Sequence, residues 1–152
     1  MHNLIRSLLA LCLLTMGGLL THGVHARDSR LQLPLAEVLD PAYHQGKLDG
    51  SVRFYFADQT TPPVRAQRGE GVANRKTNAA NKSDREACRW VMLSALIALQ
   101  DAAKNRGANA VINIQSYYKK HEFASTREYE CGAGALLAGV TLKGTYAELD
   151  IP

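Results

Sequence analysis

The run SDREACRWVMLSALIALQDAAKNRG, from Ser83 to Gly107, constrains the fold more than any other stretch, because both ends of a helix are written into it. Ser83 and Glu86 stand in the S-x-x-E relation of a capping box, which satisfies two backbone N–H groups that a helix start leaves free. Lys104 and Arg106 fall in the last turn, where cations complement the helix dipole, and Gly107 can adopt the left-handed conformation that ends helices. In between, Cys88, Val91, Met92, Ala95, Leu99 and Ala102 recur at three- and four-residue spacing. Trp90, Leu93, Leu96 and Ile97 widen this stripe over most of the circumference, and a helix of that kind is buried on all sides. A sheet covers only one side. Two further covers are open, the leucine-rich segment 31–39 and a second copy of the chain; the local segment is preferred because it otherwise has no partner.

Strand patterns surround the helix. Val52, Phe54 and Phe56 alternate with polar neighbours and are expected to face it. Directly after Gly107, the run 108–115 places Ala110, Ile112 and Ile114 on one face and Val111, Asn113 and Gln115 on the other. Residues 121–131 read as a strand or a ragged hairpin, with Phe123 and Tyr129 pointing inward, and residues 136–146 supply a last strand. Gly132, Gly134, Gly139 and Gly144 suggest a turn, bulges or close backbone approach. Upstream, residues 27–50 read as irregular, with one or two helical turns after Pro34 that Asp40-Pro41 interrupts. Residues 57–82 carry Pro, Gly, Asn, Thr and charges without periodicity, and are expected to form a long basic loop. The pattern is β-α-β-β-β: an α+β domain of one long helix on a mainly antiparallel sheet of about four strands.

The first 26 residues have a polar start with Arg6, an apolar run to Leu20 and a Val24-His25-Ala26 ending, the pattern of a secretory signal peptide cleaved after Ala26. The run from Leu8 to Leu20 is too short to span a bilayer, which takes about 20 apolar residues. Residues 27–152 are then one domain of the exported protein, periplasmic or secreted. Of 18 Lys and Arg against 14 Asp and Glu, only Arg6 lies in the leader, so a mild positive excess remains and weakly favours anionic partners. Cys12 is apolar filler in the leader. Cys88 and Cys131 remain, and an even count in an oxidising compartment favours a disulfide between them. No Cys-x-x-Cys and no histidine cluster accompanies them, so a metal or redox pair is the weaker reading.

Arg75, Lys76, Lys82 and Arg85 lie in or just after the basic stretch and lead into the amino end of the helix, where free N–H groups favour anions. They form a candidate anion-binding site for an envelope component. Tyr117-Tyr118-Lys119-Lys120 has the composition of a nucleic-acid contact, but an exported protein meets little nucleic acid, and none is expected as partner. Phosphate-binding glycine motifs do not occur, no cofactor is implied, and no nucleophile stands with a base at a meaningful spacing. The leading expectation is a non-catalytic binding or assembly module. The alternative is a small enzyme in which His44 or His121 works with Asp40, Asp49 or Glu122, or a metal-binding domain.

Gly107-Ala108-Asn109-Ala110-Val111 and Val140-Thr141-Leu142-Lys143-Gly144-Thr145 resemble the helix-to-strand turn and closing strand of YbjQ-type domains. Cys131-Gly132-Ala133-Gly134-Ala135-Leu136 is similar to a stretch of RcsF-like envelope domains. The whole mature chain, through Lys76-Thr77-Asn78-Ala79, Ser83-Asp84-Arg85-Glu86-Ala87-Cys88 and Tyr129-Glu130-Cys131, resembles small secreted bacterial proteins often labelled "excinuclease ATPase subunit". The likeness implies a YbjQ/RcsF-like core and a place in the cell envelope, with a link to stress. It also implies a capacity for ring assembly, which keeps a homo-oligomer open.

Overall fold

The computed structural model describes residues 28–151; the expected signal peptide lies outside them. The helix, α3 (Asp84–Lys104), begins and ends as its sequence dictates. Ser83 Oγ accepts a hydrogen bond from the Glu86 N–H at 3.1 Å. At the other end Gly107 turns left-handed, with φ +65°, and the Ala108 N–H donates back to the Ala103 carbonyl at 2.9 Å.

Six strands make one curled, mainly antiparallel sheet: β1 (Asp28–Pro34), β2 (Arg53–Phe56), β3 (Val64–Asn78), β4 (Ala110–Ser116), β5 (Glu128–Gly134) and β6 (Leu137–Leu149). The long β6 is its axis. β3 runs along one edge of β6 from Val64↔Leu149 to Asn78↔Leu137, while β5 and β4 divide its other edge. β1 pairs with β5, and β2 with β4 in the one parallel ladder among the described residues. α1 (Ala36–Leu39) and α2 (Pro41–His44) follow β1; Asp40 caps α2, accepting from the Ala42 N–H at 2.9 Å, with Pro41 in the first turn.

The structure corrects several expectations. The sheet has six strands: β1 lies in the segment 27–50 expected to be irregular, and the expected loop at 57–82 contains β3, the longest strand of the sheet. β3 escapes a periodicity reading because only Ala73 along it is buried in the core; with the rest of both faces outside the core, no regular alternation of apolar and polar residues is required. Its stability comes from backbone pairing to β6, an element about 60 residues and more away in the sequence.

The facing of β4 is corrected as well. Asn113 takes a positive φ of 52° and the register to β6 shifts between Ile112 and Gln115. This bulge inserts an extra residue and turns the later side chains of the strand to the other face. Ile114 therefore joins Val111 in the main core, while Ala110 and Ile112 pack on the opposite face with Ala147 and Leu149. The main core lies between α3 and the sheet, where Met92, Leu96 and Leu99 meet Tyr129, Val140 and Leu142. Val52 and Phe56 are buried in it and Phe54 packs against it.

The amino-terminal segment covers α3. Leu33, Leu35 and Val38 are buried and Leu31, Leu39 and Tyr43 pack beside them. Gln100, also buried, ties the next turn to the helix, accepting from the Asp49 N–H and donating to the Lys47 carbonyl, each at 3.1 Å. Trp90 departs from the all-round apolar reading: it is 46% exposed, beneath the Lys47 ammonium at 5.4 Å. Cys88 and Cys131 are bonded, with Cα atoms 5.9 Å apart, joining the first turns of α3 to the middle of β5.

Candidate functional site

The face of the sheet turned away from α3 carries a concavity with mixed chemistry. Residues directly opposite one another in neighbouring strands share a face, and one rung crosses four strands as Arg30↔Gly132, Gly132↔Gly139 and Gly139↔Lys76. Two glycines thus form a flat floor between two cations. Glycine in a strand interior costs about 0.5–1 kcal/mol relative to alanine, so its presence here needs a reason.

For Gly132 the reason is Tyr118. A Cβ at Gly132 would lie 2.1 Å from the phenol oxygen and Cζ, so the ring rests on the bare backbone. The 3-10 turn Tyr118–Lys120 delivers it there after β4. Arg30 approaches the ring at 5.8 Å and Lys119 at 5.4 Å, distances at which a cation is attracted to the ring face. Gly139 differs. A Cβ there would meet its neighbours at 3.6–3.7 Å, ordinary contact, so packing does not demand glycine. Its missing side chain instead leaves open a cavity of about 230 Å³ bounded by Tyr118, Lys76, Asn74 and Leu137.

Charge around the trough is partly neutralised. Lys119 donates to Asp28 at 2.6 Å, and this hydrogen bond raises the Lys119 pKa. Arg30 lies 3.8 Å from Glu130, whose carboxylate is nearly fully buried and whose Oε2 has no hydrogen-bond partner among the described residues. Lys76 has no acidic partner among the described residues, which makes it the unneutralised cation of the trough.

The four residues expected to bind anions do not converge. Arg75 and Lys76 are adjacent on β3 and so point to opposite faces; Arg75 donates to the Asn74 carbonyl. The Lys82 ammonium reaches the Asn78 carbonyl at 3.3 Å. Arg85 is committed to Glu37 through two hydrogen bonds, one from Nε at 3.1 Å and one from Nη2. That contact, ahead of the Coulomb attraction of Arg85 and Arg89, holds the Glu37 carboxyl below its ordinary range. Only Lys76 reaches the trough. Tyr118, Gly132 and Gly139 were visible in the sequence as a tyrosine-lysine run and a set of spaced glycines; their adjacency depends on strand register, which the sequence does not display.

The residues considered for acid–base work are engaged separately. Asp40 caps α2, Asp49 pairs with Lys104 and Ser51, and Glu122 pairs with Lys143, a hydrogen bond that lowers the Glu122 pKa. His44 ends α2 with Nδ1 unpartnered among the described residues, and His121 is exposed. Among the described residues no three His, Cys, Asp or Glu side chains stand close enough to hold a metal ion, and no helix is long and apolar enough to cross a membrane.

The class defined by the structure is an α+β domain of one long helix on a curled, mainly antiparallel sheet. Compared with known families, curated proteins and solved structures, the chain matches none.

Proposed function

We propose that the protein is an exported, non-catalytic binding module of the bacterial cell envelope, and that the trough between Arg30 and Lys76 is where it holds an anionic envelope component. The observation that carries this reading is Gly139. A glycine that packing does not require, at the centre of a sheet and beside an unneutralised lysine and a half-buried tyrosine, is what a site needs where a ligand approaches the backbone closely. The leader in the sequence, the net positive charge of the mature chain and the resemblance to RcsF-like and YbjQ-type domains support the placement in the envelope.

The test is binding of a heparin-derived oligosaccharide, measured by calorimetry at two salt concentrations. Wild-type protein is expected to bind weakly, and less at higher salt because screening shortens the reach of surface charge. Lys76→Glu is expected to abolish binding and Gly139→Ala to weaken it without loss of thermal stability. Equal binding by wild type and Lys76→Glu would overturn the proposal.

A further inference from the structure

The trough opens beside a hairpin tip of unusual composition. β5 and β6 are joined through Ala135 and Leu136, and Leu136 and the first residue of β6, Leu137, are 69% and 55% exposed. Scattered exposed apolar side chains need no explanation. Two adjacent leucines at a tight turn do, since such turns ordinarily use Gly, Asn, Asp, Ser or Pro. Nor is the tip loose: the Ala79 N–H donates to the Leu136 carbonyl at 2.8 Å, and Leu137 is in register with Asn78.

The surroundings of the tip are basic. Lys82 is held at the Asn78 carbonyl, Lys76 stands one rung on along β3 on the trough face, and Lys119 and Arg30 lie beyond Gly134 and Gly132 on the other side. Among the described residues Asp28, in register with Gly134, pairs with Lys119, and Glu130 near Arg30 is buried. An apolar point inside a ring of cations is complementary to an anionic bilayer surface, where leucine side chains enter the acyl boundary while lysines and arginines remain at the phosphates.

We infer that the hairpin tip Leu136-Leu137 inserts into anionic lipid membranes, with Lys76, Lys82, Lys119 and Arg30 contacting the headgroups, so that the trough is presented at the bilayer surface. This deepens the proposed function and rests on it, naming a lipid surface as the anionic partner.

The experiment is co-sedimentation of the mature protein with vesicles of phosphatidylglycerol and phosphatidylethanolamine, against vesicles of phosphatidylcholine alone. Binding is expected to the anionic vesicles only, falling with salt. Lys82→Gln, outside the trough, is expected to weaken vesicle binding about fivefold, the usual effect of one cation near such a surface, and to leave oligosaccharide binding intact. Leu136→Ser, outside the trough lining, should reduce vesicle binding at least about fivefold, the scale set by one leucine leaving an acyl boundary, with oligosaccharide binding unchanged; the side chain is 69% exposed, so the fold is kept. As a direct readout, a protein carrying Leu136→Trp and Trp90→Phe should shift its fluorescence to the blue on meeting anionic vesicles. Undiminished vesicle binding by Leu136→Ser, or no blue shift, overturns the insertion. Oligosaccharide binding without any vesicle binding overturns the inference alone, whereas loss of both overturns the proposed function as well.

Discussion

Cys88 on α3 and Cys131 on β5 are joined across the main core, each with no exposed surface, so the helix is locked to the sheet strand that also pairs with β1. In the chain-entropy account a loop of 43 residues restricts the unfolded chain by about 4 kcal/mol. Replacing both cysteines with alanine is expected to lower unfolding free energy by about that amount, read from urea or guanidinium curves. Alkylation without reduction, followed by mass spectrometry, should find neither Cys88 nor Cys131 modified in the purified protein.

The cover over α3 is equally testable. Leu35 is buried against it, and Leu35→Ala should cost about 2–5 kcal/mol, as large-to-small core changes do. A chain beginning at Leu48 loses β1, α1 and α2 together and is expected to aggregate or bind hydrophobic dye, while the full mature chain sediments as a monomer. A stable oligomer of the full chain would show that copies share this surface.

Asn109 offers a sharper probe of the turn into β4. Its side chain donates to the Leu149 carbonyl at 2.9 Å and accepts from the Leu149 N–H at 2.7 Å, imitating a strand residue at the end of β6. Asn109→Ala removes both and should destabilise the protein by about 1–3 kcal/mol, with lost amide protection at Leu149 in hydrogen exchange.

Glycine positions on β6 should respond oppositely to the same change. A Cβ at Gly144 would stand 2.8 Å from Val111 Cγ1 and 3.2 Å from the Ile112 carbonyl oxygen, so Gly144→Ala is expected to cost about 1–3 kcal/mol through overpacking. Gly139→Ala meets only ordinary contacts and should leave the melting temperature unchanged or raised.

Acid should act in part through Glu37. Arg85 lowers its folded pKa below the ordinary value of 4.5, so the pair stabilises the protein above that value and the contribution is lost as pH falls through the folded pKa. The stability difference between wild type and Glu37→Gln should therefore be present near neutral pH and shrink as the pH falls below the ordinary carboxylate range and through the folded pKa. A difference that stayed constant with pH would show that the contact is steric.

The sequence by itself determined what depends on neighbours a few residues apart. The ends and period of α3, the cap at Ser83, the left-handed turn at Gly107 and the apolar faces of β2 and β6 arise from local hydrogen bonding and from burial on one side. Tertiary structure decided the rest, for a physical reason in each case. β3 is polar on both faces and is a strand only because β6 offers it a backbone edge. Ile114 changed face because Asn113 bulges, and Trp90 lies half exposed beneath the Lys47 ammonium instead of under an apolar cover. The trough exists only because register sets Gly132 and Gly139 side by side under Tyr118. Four residues read together along the chain, Arg75, Lys76, Lys82 and Arg85, were separated because a strand turns adjacent side chains to opposite faces and a nearby carboxylate claimed one of them.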